Sequence, residues 1–511
     1  MRRLVPFLLI LALIAVLCSG CGESVPSASV FTDDMITDMV LEQFAELAKI
    51  PRPSHHEERI SDYMLAWAQE RGFEAARDSS NNVVIDVPAT AGMESRPLVI
   101  LQGHMDMVFV TGLNSGLDPL TTVIRTVNDG VFLSSDGNTS LGADDGIGDA
   151  IAMCIAEGKM AHGPLRLLFT TNEEDGTTGT MNLDPKTVQD ADYLINIDSE
   201  DEGVVTVSSA SGTAVHMIRN CGTATSEKSL TLLLTLSGLR GGHSGLDIGE
   251  GRLNASVGLG RLLQSLSEAE VEYEICSFES GTAKNAIPDY AEAAICLEPA
   301  DAARAGEFLA DMAEQLRAEY AEADPDLTLE ITQTDTSGDV LPREEGENLI
   351  RLLTGLINGV NTMSAEVEGL VESSSNIGLV HAGNGTLEAW TFVRSSVSER
   401  EEEILAQQIG LCGELGFSSE VQVFACAWPY KPDNRLLDLT KTAYRELFGR
   451  EIEVVADHAG LECGSFAGYN PDIDIISIGP TLQNPHSVNE RLELASIPMI
   501  WHLLEKILSA V

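Results

Sequence analysis

Positive charge is scarce in this chain. Its 511 residues carry 31 lysines and arginines against 79 aspartates and glutamates, a formal net charge of -48 at pH 7. Such a surface repels polyanions, which excludes nucleic acid and an anionic membrane as partners for the body of the protein. Also missing beyond the first two dozen residues is any run long and apolar enough to span a bilayer. The seven cysteines that follow residue 21 contain no C-x-x-C pair. Cys154, Cys296 and Cys426 lie in apolar runs, so they read as buried thiols rather than a disulfide framework or a zinc knuckle. Because so many carboxylates must lie on the surface, acidity alone cannot mark a site here.

What is present starts at the N-terminus. Met1-Arg2-Arg3 precedes an apolar run from Leu4 to Leu17, and Cys18-Ser19-Gly20-Cys21 follows. A basic start, a short apolar stretch and small residues describe a secretory signal over residues 1–21. The small residues before Cys21 resemble a bacterial lipobox, with Cys18 where leucine is usual. The expectation is an exported lipoprotein of the cell envelope, held to the membrane only through a lipid on Cys21, with residues 22–29 as a polar tether.

The remaining length is too great for one ordinary domain, and 44% hydrophobic residues can fill two cores. Up to about residue 210, helical patterns alternate with apolar strands: NNVVIDV, PLVILQGHMD, LRLLFTT and ADYLINID. That rhythm predicts an α/β domain with a mainly parallel sheet, where sites form at the carboxyl ends of strands. From 211 to 426 the order changes to two successive β-α-β-β-α-β patterns, an inserted α+β domain of duplicated ferredoxin-like units. Residues 427–511 resume helices and strands and complete the first domain, begun near residue 30. Connections near residues 208–212 and 426–430 would be the hinges.

Five short stretches bear chemistry: Gly103-His104-Met105-Asp106, Leu141-Gly142-Ala143-Asp144-Asp145-Gly146, Glu173-Glu174, Ile197-Asp198 and Pro485-His486-Ser487. Each alone is more often a turn, a solvated face or a structural histidine. Together they set two histidines and several carboxylates at strand ends or in glycine-rich turns. Imidazole with carboxylate suits zinc, with manganese or cobalt as alternatives, and the number of carboxylates fits two ions. On a strand, Asp106 shares a face with His104 and could hold its second ring nitrogen.

The G-H-x-D, G-A-D-D-G, E-E, I-D and P-H set resembles the M20 family of metallopeptidases over nearly the whole chain. GGHSGLDIGEGRLNA, HAGLECG and PHSVNERLEL, with the doubled second domain, resemble its bacterial Xaa-His dipeptidase branch. The resemblance implies a di-zinc dipeptidase, Xaa-His-like or broad in specificity, in which a hydroxide bridging the ions attacks the peptide. It implies His104, Asp144 and Asp198 on one ion, Asp144, Glu174 and His486 on the other, Glu173 as general base and Asp106 as orienter of His104. A cis peptide after Asp144 and a homodimer are implied as well. Asp145 departs from the asparagine usual there. In the second domain, His243, Asn285 and Arg394 match substrate-binding positions, and His458 would line the pocket with Glu462 and Gly464 nearby. The rival readings are an amidohydrolase of N-acyl amino acids with the same machinery, and a noncatalytic peptide-binding lipoprotein.

Overall fold

The computed structural model describes residues 31–113, 115–334, 338–365, 367 and 369–511. The expected leader, Cys21 and the tether lie outside the described residues. Helix Asp33–Leu47 starts where Thr32 caps it, its side chain accepting from Met35 N, with Asp33 and Asp34 in the first turn facing the positive helix end. The Pro51-Arg52-Pro53 segment separates it from helix Glu58–Glu70.

An eight-stranded sheet follows. Its order is Glu74–Arg77, Val83–Val87, Leu165–Thr170, Val99–His104, Tyr193–Asn196, Asp474–Ser477, Val204–Ser209 and Glu453–Asp457. The middle four strands are parallel; the first three run antiparallel in turn, and Ser477 pairs antiparallel with Thr206. Both faces are covered, so the central strands carry apolar residues on each side. Leu101, Leu167 and Ile195 enter a core with helices Asp33–Leu47, Ala143–Cys154, Arg435–Phe448 and Ser496–Ala510. Their neighbours Ile100, Leu168 and Leu194 point the other way, against Trp428 and Phe466. This C-terminal contribution puts Asp474–Ser477 in the middle of a sheet begun some 400 residues earlier.

A nine-stranded sheet takes all its strands from residues 212–425. Strands Leu230–Ser237, Tyr273–Ser280, Ala291–Leu297 and Thr328–Thr334 form one ferredoxin-like unit with helices Ala255–Glu268 and Ala302–Glu319. The second unit combines Gly212–Asn220, Val371–Gly383, Thr386–Ser395 and Ser418–Ala425 with helices Arg343–Gly355 and Ser398–Glu414. The units are therefore nested rather than successive. The first is inserted after the opening strand of the second, because Gly212–Asn220 pairs with strands at 386–395 and 418–425 instead of with its neighbours in sequence.

Leu101 is fully buried at the centre of the parallel strands. Leu101→Ala is expected to cost about 2–5 kcal/mol, read as an earlier first unfolding transition in urea.

Candidate metal centre

The carboxyl ends of three neighbouring strands converge on one point. Strand Val99–His104 ends in His104, Leu165–Thr170 leads into Glu173-Glu174, and Tyr193–Asn196 leads into Asp198. Asp144 enters from the start of helix Ala143–Cys154, after Gly142 turns the chain at φ +70°, and the Asp144–Asp145 peptide is cis. His486 arrives from the loop after residue 483, itself at φ +54°.

Asp144 is the centre of this group. Its Oδ1 lies 3.0 Å from His104 Nε2 and its Oδ2 lies 3.0 Å from His486 Nε2. Asp198 Oδ1 is 3.5 Å from His104 Nε2, and Glu174 Oε2 is 2.8 Å from His486 Nε2. Donor atoms of His104, Asp144 and Glu174 all lie within 4.8 Å of one another, a spacing that a metal ion can fill. Among the described residues, His104 Nδ1 and Glu174 Oε1 are buried without a hydrogen-bond partner.

Asp106 lies beside His104, as strand spacing predicts, and also holds the neighbouring turn. Its Oδ1 stands 3.5 Å from His104 Nδ1, too long for a strong hydrogen bond. Shorter bonds run elsewhere: Oδ1 accepts from Glu173 N at 3.0 Å, and Oδ2 accepts from Ser54 Oγ at 2.8 Å and Glu174 N at 3.3 Å. Glu57 Oε1 accepts from Asn172 N at 3.0 Å, while Glu173 O accepts from Thr177 N at 3.2 Å. The two glutamates thus sit on a turn pinned by two buried carboxylates, with Asn172 at φ +53°. The strand has already ended at Thr170, so the turn, rather than strand alternation, sets where they point.

The electrostatics follow from burial. For His104 burial opposes charging, but Asp198, Asp106 and Asp144 outweigh it and hold the ring well above its usual value. Asp144 is also penalised by burial, yet both histidines pull it below the usual carboxylate range. Glu173 is pushed well up, first by burial and then by Asp198, Glu174 and Glu462, with His104 opposing. Glu174 rises to about 7, chiefly by burial. Hydrogen bonds to Asp144 and Glu174 push His486 to about 11. A positive ion in their midst is what this donor set fits.

Several buried charged residues escaped the sequence reading, Arg52 and Glu490 among them. Arg52 is 2% exposed, and its Nη1 donates to the carbonyls of Met105 (2.8 Å) and Asp106 (2.9 Å) while Nη2 donates to that of Gly142. Glu490 is also 2% exposed. Glu490 lies within the PHSVNERLEL stretch, whereas Arg52, between two prolines, carried no signal of a site. Glu462 is more than pocket lining: its Oε2 accepts from Gln102 Nε2 and Thr170 Oγ1, both at 2.6 Å.

The remaining candidates form a second group. His243 Nδ1 accepts from Gly245 N (3.3 Å) and Leu246 N (3.1 Å), and its Nε2 faces Arg394 Nη2 at 3.2 Å. Arg394 Nε also donates to Ser244 Oγ at 3.3 Å, and burial lowers the guanidinium to about 10. His458 Nε2 lies 2.7 Å from Ser374 Oγ, and burial with Arg394 nearby lowers the ring to about 3. Asn285 takes part through its backbone carbonyl, which accepts from Ser244 N at 2.9 Å; its side chain is exposed. A cleft of about 630 Å³ opens at the metal centre, lined by Asp144, Glu173, Glu174, Asp198 and His486 and also by Leu246, whose N–H reaches His243.

The profile of the peptidase family M20/M25/M40 matches residues 100–510. The cytosol non-specific dipeptidase of Escherichia coli (strain K12) is 35% identical over 475 residues, covering 92% of this chain and 96% of that one. Among solved structures, aminoacylhistidine dipeptidase from Vibrio alginolyticus superposes with a TM-score of 0.85 at 32% identity, over 92% of this chain and 96% of that one. Aminopeptidase PepT from Bacillus cereus shares the fold, with a TM-score of 0.52 at 16% identity. The E. coli relative corrects one expectation. A protein aligned over 92% of this chain is named a cytosol enzyme, which overturns the reading of an exported, lipid-anchored envelope protein. No described helix is long and apolar enough to cross a membrane. The profile match and the 35% identity over most of both chains settle the family: this chain is a hydrolase that belongs to peptidase family M20/M25/M40.

Proposed function

We propose that this protein is a two-metal dipeptidase, broad in specificity and accepting Xaa-His dipeptides. One observation carries the reading: the Asp144 carboxylate presents one oxygen to His104 and the other to His486. A carboxylate so placed can bridge two ions, with Asp198 beside the first histidine and Glu174 beside the second. The residues fit such ions, since among the described residues the buried acids outnumber their cationic partners and Glu174 Oε1 has no hydrogen-bond partner. His104, Asp144 and Asp198 would hold one ion and Asp144, Glu174 and His486 the other, zinc being the metal this donor set suits, with manganese or cobalt as substitutes. Bound there, the ions would polarise the peptide carbonyl and ease deprotonation of water.

Glu173 is the general base in this reading. Its carboxylate lines the cleft without a side-chain partner among the described contacts, and burial raises its affinity for a proton. It takes a proton from the attacking water and delivers it to the leaving amine nitrogen as the C–N bond breaks. Asp106 keeps it in place by accepting the Glu173 and Glu174 backbone N–H groups.

His243 and Arg394 supply the substrate end. The backbone N–H bonds to His243 Nδ1 leave the neutral ring's proton on Nε2, which then faces the Arg394 guanidinium, donor to donor. A carboxylate or a developing oxyanion between them satisfies both. The residue 212–425 region, bearing these groups opposite the metal centre, acts as the lid; His458 ties the two bodies together through Ser374. The names of the relatives, a non-specific and an aminoacylhistidine dipeptidase, support dipeptides over N-acyl amino acids as substrates.

Glu173→Gln is expected to keep zinc content and fold but lose activity by about 10²–10⁴-fold; a fully active, zinc-loaded variant contradicts the base assignment. Glu174→Ala is expected to lower the zinc-to-protein ratio measured by elemental analysis. A panel of dipeptides and N-acyl amino acids, run on zinc-loaded and chelated protein, is expected to show metal-dependent release of amino acids from dipeptides, His-terminated ones included. Cleavage of the N-acyl substrates alone would contradict the reading.

A further inference from the structure

Glu490 lies four residues after His486, in the same turn. The turn is closed by Ser487 Oγ donating to Asn484 O at 2.8 Å and by Glu490 N donating to Ser487 O at 3.2 Å. Although 2% exposed, the Glu490 carboxylate is no candidate ligand, because both of its oxygens are occupied by backbone. Oε2 accepts from Leu141 N at 2.7 Å and Gly142 N at 3.0 Å. Oε1 accepts from Ala143 N at 2.8 Å and, at a longer 3.4 Å, from Asp144 N.

Four consecutive N–H groups aimed at one point form an anion-binding nest. The nest requires Gly142 at φ +70°, where a Cβ would also strike Met107 and Arg52. Arg52 grips the same loop from its carbonyl side, through Gly142 O. A buried carboxylate is costly unless multiply hydrogen-bonded, and here the bonds come from the backbone that ends in Asp144.

We propose that Glu490 is a positioning residue for the metal centre: it locks the Leu141–Asp144 loop so that Asp144 turns one oxygen to each histidine. One turn of chain thereby delivers a ligand, His486, and the clamp that orients the carboxylate facing it. This inference rests on the two-ion reading of the site. Its sharpest probe is Glu490→Gln, which keeps the shape but replaces one acceptor oxygen with an NH₂ that confronts N–H donors.

Zinc is titrated into the metal-free full chain against a chromophoric chelator, with the unfolding temperature of the metal-free protein measured alongside. Wild type is expected to bind two ions. Glu490→Gln should still bind two, with both affinities weakened by roughly 10–100-fold and its unfolding temperature within a few degrees of wild type. Glu490→Asp, charged but shorter, should fall between. Wild-type affinity for either ion in Glu490→Gln would overturn the proposal, since Asp144 serves both; should that variant not fold, Glu490→Asp is judged by the same criterion. A wild type that takes up fewer than two ions counts against the two-ion reading instead. The clamp is then decided by amide hydrogen exchange, which Glu490→Gln must accelerate at least tenfold at Leu141–Asp144; unchanged exchange there overturns it.

Discussion

Like charges crowded where water is largely excluded are the constraint on which this molecule turns. Asp106, Asp144, Glu173, Glu174, Asp198 and Glu462 lie around His104, most of them buried. Two unit charges 4 Å apart repel by about 4 kcal/mol even at an effective dielectric of 20. The protein offsets this in three ways. Asp106, Glu57 and Glu490 are stabilised by backbone N–H groups, Arg52 brings positive charge, and His104 and His486 hold Asp144 between them. The carboxylates left over face the cleft, where cations would complete the balance.

The fold serves this arrangement by gathering distant segments. Parallel strands align their carboxyl ends, so His104, Glu173 and Asp198 meet although about 95 residues separate the first from the last. The C-terminal piece then contributes a central strand and, beyond it, the turn with His486 and Glu490. The second sheet is attached at several points rather than by its connections alone. Thr177 Oγ1 donates to Phe424 O at 2.8 Å, and His458 meets Ser374. Closure over a substrate must keep or exchange these contacts.

Much of this was legible in the sequence wherever the signal was local. The apolar runs ending in His104, Thr170 and Ile197 gave strands and strand ends, the glycine-rich turn located Asp144, and the cis peptide after it is present. Long-range pairing was less visible. The nesting of the two ferredoxin-like units depends on Gly212–Asn220 joining strands more than 160 residues away, which no local periodicity reports. Asp106 was expected at His104 by strand spacing, and its Oδ1 stands 3.5 Å from His104 Nδ1; that it also holds the Glu173-Glu174 turn was not visible. Arg52 and Glu490 looked like ordinary charges, since their value lies in carbonyls and amides contributed by other segments.

The central claim is that Asp144 stands between two ions. Anomalous diffraction at the zinc absorption edge, from crystals grown with zinc, tests it most directly. The account predicts two peaks roughly 3.5–4 Å apart, one beside His104 and Asp198 and the other beside His486 and Glu174, with Asp144 contacting both. A single peak, or a pair that leaves Asp144 touching only one ion, would contradict it.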